Sequence, residues 1–408
     1  WARMRSPTER FSPAVLATAF ATFVAFLGIG VVDPILPIIG KQLGATGAQV
    51  ELLFTTYLIV MSFAMLVSGV LSARVGNKRV ILAGLGLVAA MATLSGLAGE
   101  FAPVNALVSP ISQLALVRGG WGFGNALFTS TALAVIVGLA AGDTSEAITL
   151  YEAALGLGIA GGPLLGGYLG GLSWRYPFLG TATLMALAFL VAAAFLREPD
   201  VEEEAAPRDM LAALVSPPVY TNALIGLCYS FGFFTILAYS PLTLPGLSAI
   251  ALGVTYFAWG ALVAVSSVFV VNWLTGRFDP TRVLVADVAC MAVVLAAAGA
   301  ARGQVELLGV IVVSGVFCGI ANAMFTTFAI RVSPFTRSVS SGAYNFLRWL
   351  GAAIAPVLSG YLKDAYGLHV PFYVSAGVVL LGAVLLLARR SFLVDAVERN
   401  AVSASGAD

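Results

Sequence analysis

Charge is what this sequence has least of. Only 10% of its 408 residues are Asp, Glu, Lys or Arg, against 60% that are hydrophobic. Soluble domains carry about 25% charged residues. This chain therefore has too few to coat an aqueous surface and too many apolar side chains for one dry interior. A mean hydropathy of +0.97 agrees. Histidine occurs once, at His369, which excludes a His-built metal centre or catalytic triad. The three cysteines, Cys228, Cys290 and Cys318, lie in apolar stretches without CxxC or ligand spacing and read as packing residues. A net charge of +1 with no concentrated basic face leaves no basis for nucleic acid as a partner. No G-x-x-x-x-G-K-[ST] loop exists to hold ATP. No nucleophile, base and orienter recur at helical spacing, as a membrane-embedded enzyme would need.

Long hydrophobic runs take their place. A bilayer core needs about 20 apolar residues per helix, and about twelve stretches qualify: 14–39, 50–71, 80–97, 107–139, 148–172, 176–196, 220–240, 252–275, 283–301, 307–330, 339–362 and 370–387. The first is too long for a signal-peptide core and is expected to be retained. Positive residues alternate between loops. Arg74, Lys78, Arg79, Arg197, Arg208, Arg277, Arg282, Arg331, Arg337, Arg389 and Arg390 fall on the side of the termini, but only Lys41, Arg175, Arg302 and Lys363 on the other. The positive-inside rule then puts both termini in the cytoplasm.

The polar run Glu198-Pro199-Asp200-Val201-Glu202-Glu203-Glu204 reads as a solvated linker. It divides the chain into a six-helix bundle over 1–197, a linker over 198–219 and a second bundle over 220–408. The halves repeat each other at an offset near 195 residues. Gly122-Phe123-Gly124-Asn125-Ala126-Leu127-Phe128-Thr129 matches Gly319-Ile320-Ala321-Asn322-Ala323-Met324-Phe325-Thr326. Tyr151, Gly158, Pro163, Gly167 and Tyr168 match Tyr344, Gly351, Pro356, Gly360 and Tyr361, while Leu71, Arg74 and Arg79 match Leu274, Arg277 and Arg282. Two parallel repeats related by an axis along the membrane normal imply rocking about a midplane site. The fold class is all-α, with twelve transmembrane helices in two pseudo-symmetric bundles.

Three motifs carry a family resemblance. Gly69-Val70-Leu71-Ser72-Ala73-Arg74-Val75-Gly76-Asn77-Lys78-Arg79 is similar to the G-x-L-x-D-R-x-G-R-K/R loop of the major facilitator superfamily, with Ala73 where that family has Asp. Arg118-Gly119-Gly120-Trp121-Gly122-Phe123-Gly124 resembles its R-x-x-Q-G-x-G stretch, with Trp121 for Gln. Gly158-Ile159-Ala160-Gly161-Gly162-Pro163-Leu164-Leu165-Gly166-Gly167 matches the G-x-x-x-G-P-x-x-G-G motif of its antiporters. The whole chain thus resembles the bacterial drug:proton antiporters with twelve helices. That resemblance implies a multi-pass bacterial plasma-membrane protein that exports hydrophobic or amphipathic compounds in exchange for protons. The proton gradient would serve in place of a cofactor, and the working unit would be a monomer. Export of one specific metabolite, sugar or lipid is the alternative. It also implies gating roles for Gly69, Arg74, Gly76, Lys78 and Arg79. Gly158, Gly162 and Gly166 recur every fourth residue as one bare helix face, and with Pro163 and Gly167 they are expected at the interface between halves.

Asp33, Glu152 and Asp287 are the acidic residues read as lying clearly inside predicted helices. Asp33 lies between Gly28, Gly30, Pro34 and Pro37, which loosen the first helix. A carboxyl group that loads and releases a proton balances burial against nearby positive charge. Counting about 1.5 Å per residue brings Asp33 and Arg118 to similar depth, so Asp33, Glu152 and Arg118 are the candidate proton-coupling residues. Arg348 is the intramembrane cation of the second half, fit to pair with Glu152 or hold an anionic substrate. A cavity for many shapes is lined by aromatics with a few polar groups, and Phe26, Tyr57, Asn125, Phe231, Phe234, Tyr256, Trp259, Asn322, Asn345, Arg348 and Trp349 are its candidates.

Overall fold

The structure is a computed structural model that describes residues 11–100, 102–139, 144–198, 207–335 and 337–405. Those residues form helices and turns, with no strand among them. Lipid offers no partner to a backbone N–H or C=O, so a chain this apolar must satisfy them within helices. Twelve long helices result: α1 Pro13–Gly30, α2 Gly47–Val75, α3 Asn77–Gly96, α4 Pro110–Gly138, α5 Thr144–Leu172, α6 Tyr176–Phe195, α7 Pro217–Phe234, α8 Ala249–Val265, α9 Pro280–Ala300, α10 Gln304–Arg331, α11 Arg337–Tyr366 and α12 Val370–Ala388. Each corresponds to one hydrophobic stretch. Their starts carry ordinary helix-opening chemistry. Thr46 and Gln49 form a capping box on α2, Ser248 caps α8, and proline opens α4, α7 and α9.

Helix α1 departs from the single helix expected over 14–39. It stops at Gly30, passes through a 3-10 turn at Asp33–Ile35 and resumes as Leu36–Leu43. Pro34 is the reason, since it has no N–H and its ring pushes the preceding residue out of α geometry. Its counterpart α7 breaks at the matching depth, into a π-turn at Thr235–Tyr239 and a 3-10 turn at Ser240–Thr243. Helix α2 starts at Gly47, earlier than the sequence indicated. Glu51 therefore lies inside the helix rather than at its end, fully buried beside Gly360 of α11.

The halves repeat in packing as they do in sequence. In the first, α1 lies on α5, α2 on α4, and α3 on α4 and α6; in the second, α7 lies on α11, α8 on α10, and α9 on α10 and α12. The matched glycines do matched work. A Cβ on Gly122 would fall 2.1 Å from the Tyr57 carbonyl oxygen of α2, and one on its mate Gly319 would fall 2.3 Å from the Val263 oxygen of α8. Gly158 abuts the Phe23 carbonyl of α1 as Gly351 abuts the Leu227 carbonyl of α7. Across the halves, α5 packs on α8 and α2 on α11, and on the side away from the termini Leu36–Leu43 touches Ser240–Thr243. The span built on α7 is 89% buried and that on α6 only 33%. The former is thus a central helix, and the latter shows most of its surface to lipid.

On the terminus side each half carries a brace across equivalent helix ends. Glu198, just past α6, accepts hydrogen bonds from the backbone N–H groups of Asn77 and Lys78 at the start of α3, the second at 3.0 Å. In the second half Arg390, just past α12, donates to Asp279 at 3.1 Å, and Asp279 caps α9. Glu198 is therefore a helix cap, while 199–204 of the polar run lie outside the described residues. The linker is also partly helical, since Pro207–Val215 buries Met210 and Ala213 against Val339 and Ala343 of α11. Losing a side-chain cap costs about 1 kcal/mol. Glu198→Ala should lower the unfolding temperature of the purified protein while Glu198→Asp keeps part of it. Equal melting curves for both and the parent would remove the cap from the account.

Candidate functional site: a cavity between the halves

A small cavity lies where the two halves meet. The first half supplies Phe26, Ile29 and Gly30 of α1, Met65 of α2, Thr129 and Leu133 of α4, and Tyr151, Glu152, Leu155 and Ile159 of α5. From the second come Phe233, Phe234 and Leu237 of the α7 segment, Asn322 and Thr326 of α10, and Ser341, Asn345, Arg348 and Trp349 of α11. All come from the middle of the bundle or from the half nearer the termini. Glu152 stands about 12 Å along α5 from its start at about 1.5 Å per residue.

Of the expected substrate-contact residues, Phe26, Phe234, Asn322, Asn345, Arg348 and Trp349 reach this wall. Tyr57, Asn125, Phe231, Tyr256 and Trp259 stand off it, for a common reason: their polar groups or rings are used inside one half. Asn125 donates to the Tyr57 hydroxyl at 2.7 Å, Trp259 Nε1 to Ser314 at 3.1 Å, and the Tyr256 hydroxyl bonds that of Ser240. Phe231 is buried in α7, where its carbonyl takes the Thr235 hydroxyl. Trp259 nonetheless backs the wall, 5.2 Å from the Phe233 ring, and Phe233 lies tilted at 5.3 Å against Phe234, which meets Trp349 at 5.8 Å. This row of rings makes one side of the cavity stiff and apolar. Tyr151, Thr129 and Thr326 also line it without being anticipated, as does Phe233 of the aromatic run of α7 in which candidates were expected. The repeat held a signal for the two threonines, which are its matched positions on α4 and α10.

The wall carries one group of each charge. Glu152 is buried, and its Oε2 has no hydrogen bond among the described residues. Arg348 donates to the Asn322 side-chain oxygen and lies 5.2 Å from the Trp349 ring centroid. The two charges act on one another across the cavity but form no ion pair, so each keeps capacity for a ligand. Asn345 donates to Ser341 at 3.1 Å on the same wall.

Arg118 is fully buried and lies apart from the cavity. Its Nε donates to the Leu53 carbonyl at 3.4 Å, and its guanidinium sits 4.5 Å from the rings of both Tyr57 and Trp121. Two aromatic faces stabilise a cation that water cannot reach. Trp121, which replaces the Gln of the family pattern, is one of those faces. The Asp33 backbone opens the 3-10 turn of α1, while its side chain lies outside the described residues. Asp287 is buried in the second half, off the cavity wall.

The glycine motif sits only partly as expected, with Pro163 and Gly167 at the junction between halves but Gly158, Gly162 and Gly166 turned away from it. Cβ atoms on Gly158, Gly162 and Gly166 would fall 2.5, 2.5 and 2.1 Å from the carbonyl oxygens of Phe23, Leu27 and Val31, so this face packs on α1 inside the first half. A neighbouring face makes the junction between halves. Gly156 meets Ala264, Ala160 meets Gly260, the Pro163 carbonyl meets Gly253, and Gly167 meets Ala249. A spacing of four defines one face of a helix, but not what covers it. In the loop after α2, Gly76 has a left-handed φ of 94°, Lys78 donates to the Ala193 carbonyl at 3.1 Å, and Arg74 and Arg79 are exposed. Gly69 lies in the last turns of α2, and the side chain of Ala73 falls outside the described residues.

Comparison with known proteins adds relatives. The sequence profile of the Major Facilitator Superfamily matches residues 18–356 and again 273–406. The multidrug efflux protein YfmO of Bacillus subtilis (strain 168) is 42% identical over 383 residues, covering 93% of this chain and 94% of that one. The quinolone resistance protein NorA of Staphylococcus aureus is 22% identical over 388 residues, covering 93% and 97%. Among solved structures, the human organic anion transporter MFSD10 (TETRAN) superposes with a TM-score of 0.70 at 17% identity, over 93% of this chain and 100% of that one. A bacterial homolog of the human lysosomal transporter Spinster superposes with a TM-score of 0.69 at 16% identity, over 97% and 98%.

Proposed function

This chain belongs to the Major Facilitator Superfamily, and from that premise we propose that it exports hydrophobic or amphipathic compounds in exchange for protons by alternating access. The observation that carries the reading is the cavity between the halves, apolar and aromatic over most of its wall, with one buried carboxyl group and one cation. Such a surface accepts many apolar bodies and selects weakly among them. The likeness to a multidrug efflux protein over 93% of the chain supports the same reading.

Glu152 carries the proton at the cavity, with Asp33 at the break of α1 as a second carrier. Arg118, fixed between Tyr57 and Trp121, supplies a permanent positive charge in the same half. The membrane is the bacterial plasma membrane, and the excess of Arg and Lys on the terminus side sets both termini in the cytoplasm. The cavity residues then lie between the midplane and the cytoplasm, while the contact of Leu36–Leu43 with Ser240–Thr243 closes the outer side. Rocking of the halves along α5–α8 and α2–α11 would exchange these two closures.

Everted membrane vesicles containing the protein test this. Energised with a proton gradient, they should accumulate ethidium, and dissipating the gradient should release it. Protein that moves one metabolite but no lipophilic drug under the same gradient would replace the multidrug reading with the single-substrate one.

A further inference from the structure

The wall of the cavity is dipolar, and the arrangement of its positive end is specific. Arginine has five N–H donors in a planar fork. One of those of Arg348 goes to Asn322, a neutral partner, and the guanidinium carbon sits 5.2 Å from the Trp349 ring centroid. No acidic side chain among the described residues pairs with it. Arg348 is half-buried and lines the cavity, so the rest of the fork is within reach of a ligand. Asn322 and Trp349 restrict how the fork can turn, which lowers the entropy lost when a planar anion is bound through two N–H groups. Glu152 stands on α5 of the facing half, beside Tyr151, and the aromatic row that ends at Trp349 runs along the wall of the second half.

Resting on the export reading above, we propose that the preferred substrates are amphoteric aromatic compounds, with an acidic group bound by Arg348 and a basic group bound by Glu152. A molecule of this kind replaces both members of a charge pair that the protein leaves apart. A purely cationic drug meets Arg348 with like charge, and a purely anionic one meets Glu152 with like charge. The arrangement also accounts for exchange. A proton on Glu152 removes the negative charge that holds the basic end, so protonation and substrate binding oppose each other at one carboxyl group.

The test uses three compounds on one rigid body: a biphenyl bearing a carboxylate at one end and an aminomethyl group at the other, its methyl ester, and its N-acetyl derivative. Calorimetric titration of the purified protein in lipid nanodiscs gives affinities, and repeating it in buffers of different ionisation enthalpy counts protons released. The parent protein should bind the amphoteric compound about ten-fold or more tighter than either derivative, because a site built to pair polar groups rejects analogues that lack them. Arg348→Gln should erase the preference over the ester while keeping the preference over the N-acetyl compound, and Glu152→Gln should do the reverse and abolish proton release. Equal binding of all three compounds by the parent protein, which needs no variant to fold, overturns the proposal. So does an Arg348→Gln protein that keeps the preference for the free acid. Ethidium export separates the two readings. If it persists while the three compounds bind alike, only the substrate class is wrong; if no compound binds and ethidium is not moved, export itself fails.

Discussion

Glu152→Gln should stop gradient-driven export while leaving the cavity able to bind. In everted vesicles the initial rate of ethidium accumulation should fall by about ten-fold or more, equivalent to a loss of about 1.4 kcal/mol or more in the driven step. Affinity for a neutral lipophilic drug should change little, because glutamine keeps the volume and hydrogen-bonding reach of glutamate but carries no exchangeable charge. The reasoning rests on placement. Glu152 is the buried acidic side chain that lines the cavity between the halves among the described residues. Asp287 and Glu51 are also buried but stand elsewhere, the first within the second half and the second where α2 meets α11. Asp33→Asn belongs in the same experiment. If both variants still release protons on drug addition as the parent does, neither residue carries the coupling proton.

A leucine at Gly260 should be as damaging by a different route. A Cβ there would fall 2.5 Å from the Ala160 Cα across the junction, and one on Gly253 would fall 2.6 Å from the Pro163 carbonyl oxygen. Backbone cannot yield as a flexible side chain can, so α5 and α8 must part. Overpacking of this kind costs about 1–3 kcal/mol. Because the strain falls between the halves, each half should still fold. Gly260→Leu is expected to reach the membrane in near-parental amount yet lose transport by about ten-fold or more, since a wedge favours one arrangement of the halves over the other and shifts their populations. Gly162→Leu makes a useful contrast. It drives the same side chain into the Leu27 carbonyl of α1, inside one half, and should reduce the yield of folded, monodisperse protein. Identical yields and identical rates for the two variants would show that the junction and the intra-half contact are not distinct, and would refute the assignment of the two glycine faces.

These two residues illustrate how far the amino-acid order reaches. That ten of the twelve long helices among the described residues can cross a bilayer follows from composition and run length, because lipid permits little else. That the halves repeat follows from matched residues such as Gly122 and Gly319, and both prove to meet a carbonyl at equivalent contacts. Arg348 and Asn322 could each be picked out as polar residues in apolar stretches. Their hydrogen bond could not, because it joins residues 26 positions apart on different helices. Their repeat mates do something else: Asn125 is turned to Tyr57 within its own half.

What the sequence alone determined is the solvent of this protein, the number of its long helices, its internal symmetry and its family. These depend on hydropathy summed over long runs and on motifs read locally, and neither needs a partner helix to be known. The tertiary structure alone decided which face of the α5 glycine motif touches α1 and which touches α8. It decided that Glu198 caps α3 and that Tyr57 and Trp121 enclose Arg118 while Glu152 and Arg348 face one cavity. In a membrane helix every side is apolar, so amphipathicity no longer marks the face that packs. Only the neighbouring helix assigns each residue to lipid, to its own half, or to the space between the halves.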